Sequence, residues 1–396
     1  MSSEPAAAPL SAAALAPHYS AFRVGERVLL TGHSHQAWPD VARDGMLQAF
    51  DDAAALVDGK WSRALEKAGR VRAALKVRMD DPTGDLALGS NTHELLVRLL
   101  SALPLRRRPR LVTTDGEFHT VRRQLARLGE EGVEVATVAS LPAETVGERL
   151  AAALDERTAA VIVSAVFCVS GRVANLGGLS EVAERRGVEV VVDAYHAVNA
   201  IEFSIARWRL DGAYVLGGGY KYLQLGEGNC FLRTPPGCSL RPAITGWFAD
   251  FGGLSSADRT VRYGTGEGER FAGATYDPTS HYRAAAVLEF FDAQGLTISA
   301  LRRSVLRQLR RLVDGITQLD VPPGAWELPS GALEERGAFL VLRTRNAGRL
   351  VEELARQGIH TDHRGEALRL GPAPYVTDEQ LDYAISALGV AARGLS

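Results

Sequence analysis

Gly217-Gly218-Gly219-Tyr220-Lys221-Tyr222 follows directly on an apolar run, and a second apolar run, Val190-Val191-Val192, ends in Asp193-Ala194-Tyr195-His196. Read as strands of one sheet, the two stretches deliver a lysine and a carboxylate to the same edge. The glycines exclude bulk and permit close backbone approach. This is the minimum equipment for pyridoxal phosphate chemistry. The amine forms a Schiff base with the aldehyde, and the carboxylate keeps the pyridine nitrogen protonated so that the ring takes up electrons. Two plainer readings compete. An Asp after a strand is often only a turn former or a helix cap. A phosphate-cradling P-loop needs Gly-x-x-x-x-Gly-Lys-Ser/Thr before a helix, and Tyr222 after Lys221 rules it out.

Outward from these runs the chain alternates. Arg110-Thr114, Val133-Val138, Ala159-Val166, Val188-Val192, Asp211-Leu216 and Asn229-Leu232 read as strands. Helices over Val121-Leu128, Glu144-Leu154 and Leu179-Arg186 separate most of them. Such alternation implies a mostly parallel sheet with helices on both faces, binding its ligand beyond the carboxyl ends of the strands. Asp193, Gly217 and the loop after Val166 fall at those ends. Apolar positions recur at helical spacing from Ala42 to Val77, and a helix starts near Asn91-Thr92-His93-Glu94, where Asn91 caps and Glu94 holds the capping-box position. Past residue 280 two helices (His281-Ala293, Ile298-Leu319) lead into a strand-helix-strand-helix pattern: Phe339-Leu342, Ala347-Gln357, Ala367-Leu370, Asp378-Leu388. The expected division is a loose arm over 1–25, a large cofactor-binding domain over 26–280, and a helical linker with a small α+β domain over 281–396.

Composition narrows the function classes. A formal charge of −2 gives no reason to expect nucleic acid or an anionic membrane as partner. The one dense basic run, Arg106, Arg107, Arg108 and Arg110, has no interleaved aromatics for base stacking and reads as a solvated loop or strand entry. Cys168, Cys230 and Cys238 lack paired spacing, which favours a reducing compartment over disulfides or zinc. The start, Met1-Ser2-Ser3-Glu4-Pro5, lacks a basic n-region. The longest apolar stretch, from Ala159 to Val169, is far short of the about 20 residues that span a bilayer. The cytoplasm is the expected location, without membrane or metal.

Asp193-Ala194-Tyr195-His196-Ala197-Val198 together with Tyr220-Lys221-Tyr222-Leu223 resembles the kynureninases, within the class V aminotransferase group of fold type I pyridoxal-phosphate enzymes. The similarity runs from about Leu29 to the C-terminus. It implies an α/β fold type I architecture, bound pyridoxal 5'-phosphate, an amino acid as substrate, and a homodimer that shares its active sites. By resemblance Lys221 carries the Schiff base and shuttles the α-proton, Asp193 pairs with the pyridine nitrogen, and His196 flanks it. Asn91 and Thr92 match the phosphate-binding helix start. Phe118 matches the residue stacked on the cofactor ring, and Ser164 a strand-end residue near it. Tyr220, Trp247 and Thr275 match further phosphate contacts, the last two reaching a neighbouring subunit's cofactor. Arg369 matches the arginine that grips the substrate α-carboxylate, a task suited to a planar guanidinium. Plainer readings stand beside these: core packing for Phe118 and Trp247, an incidental strand residue for Ser164, a helix terminus for Thr92, a solvent-facing strand position for Arg369.

The chain departs from the kynureninase pattern twice. Gly32-His33-Ser34-His35-Gln36 replaces Gly-Asn-Ser-Leu-Gly, and Gln224-Leu225-Gly226-Glu227-Gly228-Asn229 replaces Asn-Ala-Gly-Pro-Gly. Both lie close to the expected substrate pocket. His35 is therefore a candidate substrate contact, and no carboxylate or cysteine nearby completes a metal set around His33 and His35. His360 and His363, which flank Asp362, have no assigned role. The implied reaction is hydrolysis of a Cβ–Cγ bond in a γ-keto amino acid, as in L-kynurenine giving an anthranilate and alanine, with Lys221, Asp193 and Tyr220 as the catalytic set. The rivals are transamination, elimination or decarboxylation within class V, and a non-catalytic subunit that carries the cofactor. Cysteine desulfuration is disfavoured, because it needs a mobile C-terminal cysteine and none follows Cys238.

Overall fold

The computed structural model describes residues 10–255 and 260–395; the start Met1-Ser2-Ser3-Glu4-Pro5 lies outside them. A short strand β1 (Val28–Leu29) precedes a central sheet built from β2 (Asp85–Gly89), β3 (Arg110–Thr114), β4 (Glu134–Val138), β5 (Thr158–Ser164), β6 (Glu189–Asp193), β7 (Tyr214–Gly218) and β8 (Cys230–Thr234). Their spatial order is β2-β8-β7-β6-β5-β3-β4. The five strands from β4 to β7 pair in parallel, while β8 runs antiparallel to both β7 and β2. All seven residues of β5 are buried, as expected of a strand covered on both faces, so its apolar run does not alternate. The expected α/β, fold type I architecture is the one observed, with an antiparallel pair at one edge.

Three local expectations need correction. The strand read at Asp211-Leu216 starts at Tyr214 and runs through Gly218. The reason lies across the sheet: the buried Arg233 guanidinium takes the carbonyls of Asp211 (2.8 Å) and Ala213 (2.7 Å), which holds residues 211–213 in a turn. The same guanidinium pairs with Asp81 at 2.8 Å, with both side chains sealed from water. The helical stretch from Ala42 to Val77 is interrupted between Val41–Leu56 and Lys60–Met79, where Val57 adopts φ 51°, a left-handed conformation that ends the first helix. Residues 10–25 are not a loose arm. Ala12–Leu15 is helical, Ala16–Phe22 continues as a tighter 3₁₀ helix, and Tyr19 is fully buried with its hydroxyl donating to Gln224 at 2.6 Å.

The C-terminal part carries β9 (Leu340–Arg343), β10 (Ile359–His360), β11 (Asp362–Arg364) and β12 (Ala367–Leu370). An antiparallel sheet of order β11-β12-β9 packs against helix Ala347–Arg356, on which helix Asp378–Gly394 rests in turn. Strand β1 pairs in parallel with β10, which ties residues 28–29, placed by the sequence in the large unit, to the C-terminal one. Helix Thr279–Ala293 is buried along most of its length and packs on both Val41–Leu56 and Lys60–Met79. Among the described residues no single helix is long and apolar enough to cross a membrane.

Candidate active site

Lys221 stands just past the end of β7 in a tight turn and is buried. Gly218 is required beside it, since a Cβ there would overlap the Tyr195 phenol. The Lys221 Nζ lies 2.8 Å from His196 Nε2, with the ring centroids of Tyr195, Phe118 and Tyr220 at 4.6, 5.7 and 5.9 Å. Burial among these rings pushes the amine down to about 8, against the opposing pull of Asp193. Register fixes the carboxylate: Asp193 on β6 pairs with Ser164 on β5 and with Leu216 on β7. Its Oδ1 accepts the Tyr195 N–H at 2.9 Å. Burial raises the carboxyl above its ordinary range, while that N–H and Lys221 pull it back. Burial also drives His196 far down, with Lys221 adding to the effect, so its ring is neutral. Nε2 accepts from Lys221, which leaves the Nδ1 proton facing the Tyr222 hydroxyl at 3.3 Å.

A cavity of 1240 Å³ opens beside this cluster, lined among others by Asn91, Thr92, Phe118, Tyr195, Tyr220 and Cys230. Asn91 caps helix Thr92–Ala102 as expected, its side chain accepting the Glu94 N–H at 2.9 Å. In that first turn the Glu94 N–H is taken by the Asn91 cap and the Thr92 N–H faces the Cys230 sulfur; the positive end of a helix dipole favours an anion beside it. Tyr220 is stacked under His35 (4.6 Å between centroids, 19° between planes) and tilts against Tyr195 at 4.9 Å. His35 thus packs on a residue that lines this cavity without lining it itself. Trp247 and Thr275 meet each other, the indole donating to the threonine hydroxyl at 3.2 Å, but they are not among the residues lining this cavity. Phe118 is 42% exposed, too open to be a core residue, and the core reading for it fails.

Several functional neighbours had no sequence reading. Glu117, next to Phe118, is buried and accepts three bonds: Ser164 N–H (3.1 Å), Ser164 Oγ (2.6 Å) and Thr114 Oγ1 (2.6 Å). Burial nonetheless pushes it up to about 7. Ser164 is therefore at the strand end, as expected, but its hydroxyl is spent on Glu117. Arg369 is buried, not solvent-facing: it bonds Asp362 and the Cys168 carbonyl. Gln224, with φ 58°, donates to Gln36 at 2.8 Å and accepts from Tyr19, so the two segments that depart from the kynureninase pattern are bonded to one another. Asp362 carried no usable sequence signal: only the pairing of two short strands about Gly365 sets it opposite Arg369.

Pyridoxal phosphate fits this donor set. Lys221 offers a buried amine that is readily neutral, Asp193 a desolvated carboxylate awaiting a cationic partner, Phe118 an open ring face, and the helix beginning at Thr92 the positive end of its dipole.

Comparisons with known proteins agree. The model of the class V aminotransferase family matches residues 89–226. The aminotransferase YcbU of Bacillus subtilis, itself uncharacterised, is 23% identical over 86% of this chain and 88% of its own length. A kynureninase of Bacillus cereus is 24% identical over 87% of this chain and 80% of its own. Among solved structures, a C-DES mutant with glycine covalently linked to its PLP cofactor superposes with a TM-score of 0.80 at 15% identity, covering 94% of this chain and 98% of that one.

Proposed function

We propose that this chain, whose residues 89–226 match the class V aminotransferase family and whose fold is that of fold type I pyridoxal-phosphate enzymes, hydrolyses the Cβ–Cγ bond of L-kynurenine or a related γ-keto amino acid, giving alanine and an aromatic acid. The observation that carries this reading is the meeting of Asp193-Ala194-Tyr195-His196 and Tyr220-Lys221-Tyr222-Leu223 at one buried amine, 2.8 Å from His196. The similarity to a kynureninase over most of both chains supports it. In this reading residues 26–280 carry the cofactor and 281–396 supply the substrate arginine.

Bound pyridoxal phosphate supplies an aldehyde for the substrate amine and a protonated ring that accepts the electrons released at the α-carbon. Asp193 holds the proton on the ring nitrogen. Lys221 would move the α-proton; an amine near pKa 8 is suited to both directions of that transfer near neutral pH. His196 accepts a hydrogen bond from Lys221 and keeps its amine aimed at the reacting carbon. The helix start at Asn91 and Thr92 would hold the phosphate, and Phe118 would cover the ring face. Tyr220 is raised by burial, so its phenol stays protonated and, lining the cavity, is a donor for a developing oxyanion on the γ-carbonyl. Arg369 orients the α-carboxylate, and His35 faces the substrate side chain. Trp247 and Thr275 complete the phosphate site of a second copy in a homodimer; full activity in a monomer at low concentration would refute that part.

The test is incubation of the holoenzyme with L-kynurenine. Release of an anthranilate with alanine in equal amounts supports hydrolysis, and a keto acid without alanine points elsewhere. One observation favours that second reading, transamination or β-elimination: the segments 32–36 and 224–229, which both depart from the kynureninase pattern, are bonded to one another through the buried Gln36–Gln224 contact. Desulfuration stays disfavoured. No cysteine follows Cys238, and burial pushes the Cys168 thiol up, away from the nucleophilic thiolate.

A further inference from the structure

The small sheet sets Asp362 directly across from Arg369, because β11 and β12 pair Asp362 with Arg369 and Arg364 with Ala367 around the turn at Gly365. Asp362 takes one edge of the guanidinium: Nε donates to Oδ1 at 2.8 Å and Nη2 donates to Oδ2. Nη1 donates to the Cys168 carbonyl at 2.9 Å. A guanidinium has five N–H groups. Three are used, and the remaining two are one on each terminal nitrogen. A side chain that is only 4% exposed and bonded along two edges cannot swing about its own axis to find a ligand. What it offers is fixed.

Asp362 is itself held from behind. His33, in the segment that departs from the kynureninase pattern, donates from Nε2 to Asp362 Oδ1 at 2.7 Å and packs on the Phe339 ring at 5.0 Å. Its Nδ1 is buried without a partner, hard against Gly371. An ionised carboxylate only accepts, so the ring proton is on Nε2, and a second proton would bury an unpaired N–H. Burial accordingly holds His33 down to about 4. The triad therefore carries one positive charge, one negative charge and a neutral imidazole.

We propose that Asp362, backed by His33, is the positioning residue of the substrate-recognition half of the site: it fixes the Arg369 guanidinium so that its two remaining N–H groups meet the α-carboxylate of an amino acid. This rests on the reading of Arg369 as the carboxylate grip, and it makes recognition depend on geometry more than on net charge. A mere counter-ion predicts the opposite behaviour. Removing a counter-ion unmasks a buried positive charge and tightens anion binding, whereas removing a positioning group loosens it.

The holoenzyme is titrated with L-alanine and with ethylamine, which has the amine without the carboxylate, and the change in cofactor absorbance gives the ratio of the two affinities. Asp362→Asn lowers that ratio about tenfold or more, the loss of one well-placed charged hydrogen-bond pair, with ethylamine binding unchanged. Asp362→Glu restores part of it. An unchanged or raised ratio in Asp362→Asn overturns the proposal while leaving the Arg369 reading intact, provided that Arg369→Ala abolishes the preference for alanine. A preference that survives Arg369→Ala overturns both. If Asp362→Asn fails to retain cofactor, His33→Asn decides, since it leaves the Arg369–Asp362 pair in place. A fall of about threefold from losing this weaker support sustains the proposal, and no change overturns it.

Discussion

Removing the cofactor from Lys221 exposes the most distinctive electrostatic feature of the site, and its consequence is measurable. Burial brings the free amine from its ordinary 10.5 down to about 8. At pH 7.5 such an amine is about one-quarter neutral, against about one part in a thousand for an ordinary lysine, an advantage of roughly 240-fold in the reactive form. Capture of pyridoxal phosphate by the apo protein, followed by stopped-flow absorbance, should therefore rise about tenfold per pH unit below 8 and level off above it. Asp193 opposes the downward shift, so Asp193→Asn should move the levelling-off to lower pH even though it abolishes turnover. The same shift is written into stability. Between pH 8 and 10.5 the unfolded chain holds a proton on this lysine that the folded apo protein lacks, so folding stability gains about 3 kcal/mol as pH rises through that window. Lys221→Met should lack this gain. A capture rate still climbing at pH 10, or a levelling-off that Asp193→Asn leaves in place, would refute the reasoning.

Glu117 gives the opposite slope. Burial raises it to about 7, so the folded state holds a proton that the unfolded chain releases, and stability falls as pH rises from 4.5 to 7. Glu117→Gln should remove about 2.4 kcal/mol from the stability difference between urea titrations at pH 5 and 7.5, and an unchanged difference would count against the assignment. Arg233→Met strands Asp81 in the core with its charge unpaired and should cost about 3–5 kcal/mol in a denaturant midpoint series, whereas a neutral outcome would mean that water reaches the pair. Tyr19→Phe removes the donor to the Gln224 Oε1 and should cost about 1–3 kcal/mol, with weaker substrate binding as the 32–36 and 224–229 segments loosen.

The cofactor half of the site was legible because its residues sit where strand periodicity ends: Val190-Val191-Val192 can only deliver Asp193 to a sheet edge, and the glycines at 217–219 mark the close approach around Lys221. The Asn91 cap was legible for a similar, local reason. What escaped depended on partners distant in the chain. Tyr19 looked like part of a loose arm because its partner, Gln224, lies far away in sequence. Strand β7 was misplaced because Arg233, from the next strand, holds residues 211–213 in a turn. Asp362 was passed over between His360 and His363, since three-residue strands carry too little pattern to announce their register. The break at Val57 had a local signal in the Asp58-Gly59 dipeptide that follows it, but the helical spacing on either side masked it until the positive φ of Val57 placed the break.

The most direct test of the account uses the scarcity of amines in this chain, whose lysines are Lys60, Lys67, Lys76 and Lys221. Holoprotein reduced with borohydride and digested for mass spectrometry should carry the pyridoxyl group on the peptide containing Lys221 and on no other. An adduct at Lys60, Lys67 or Lys76 with Lys221 unmodified, or no adduct at all, would contradict it.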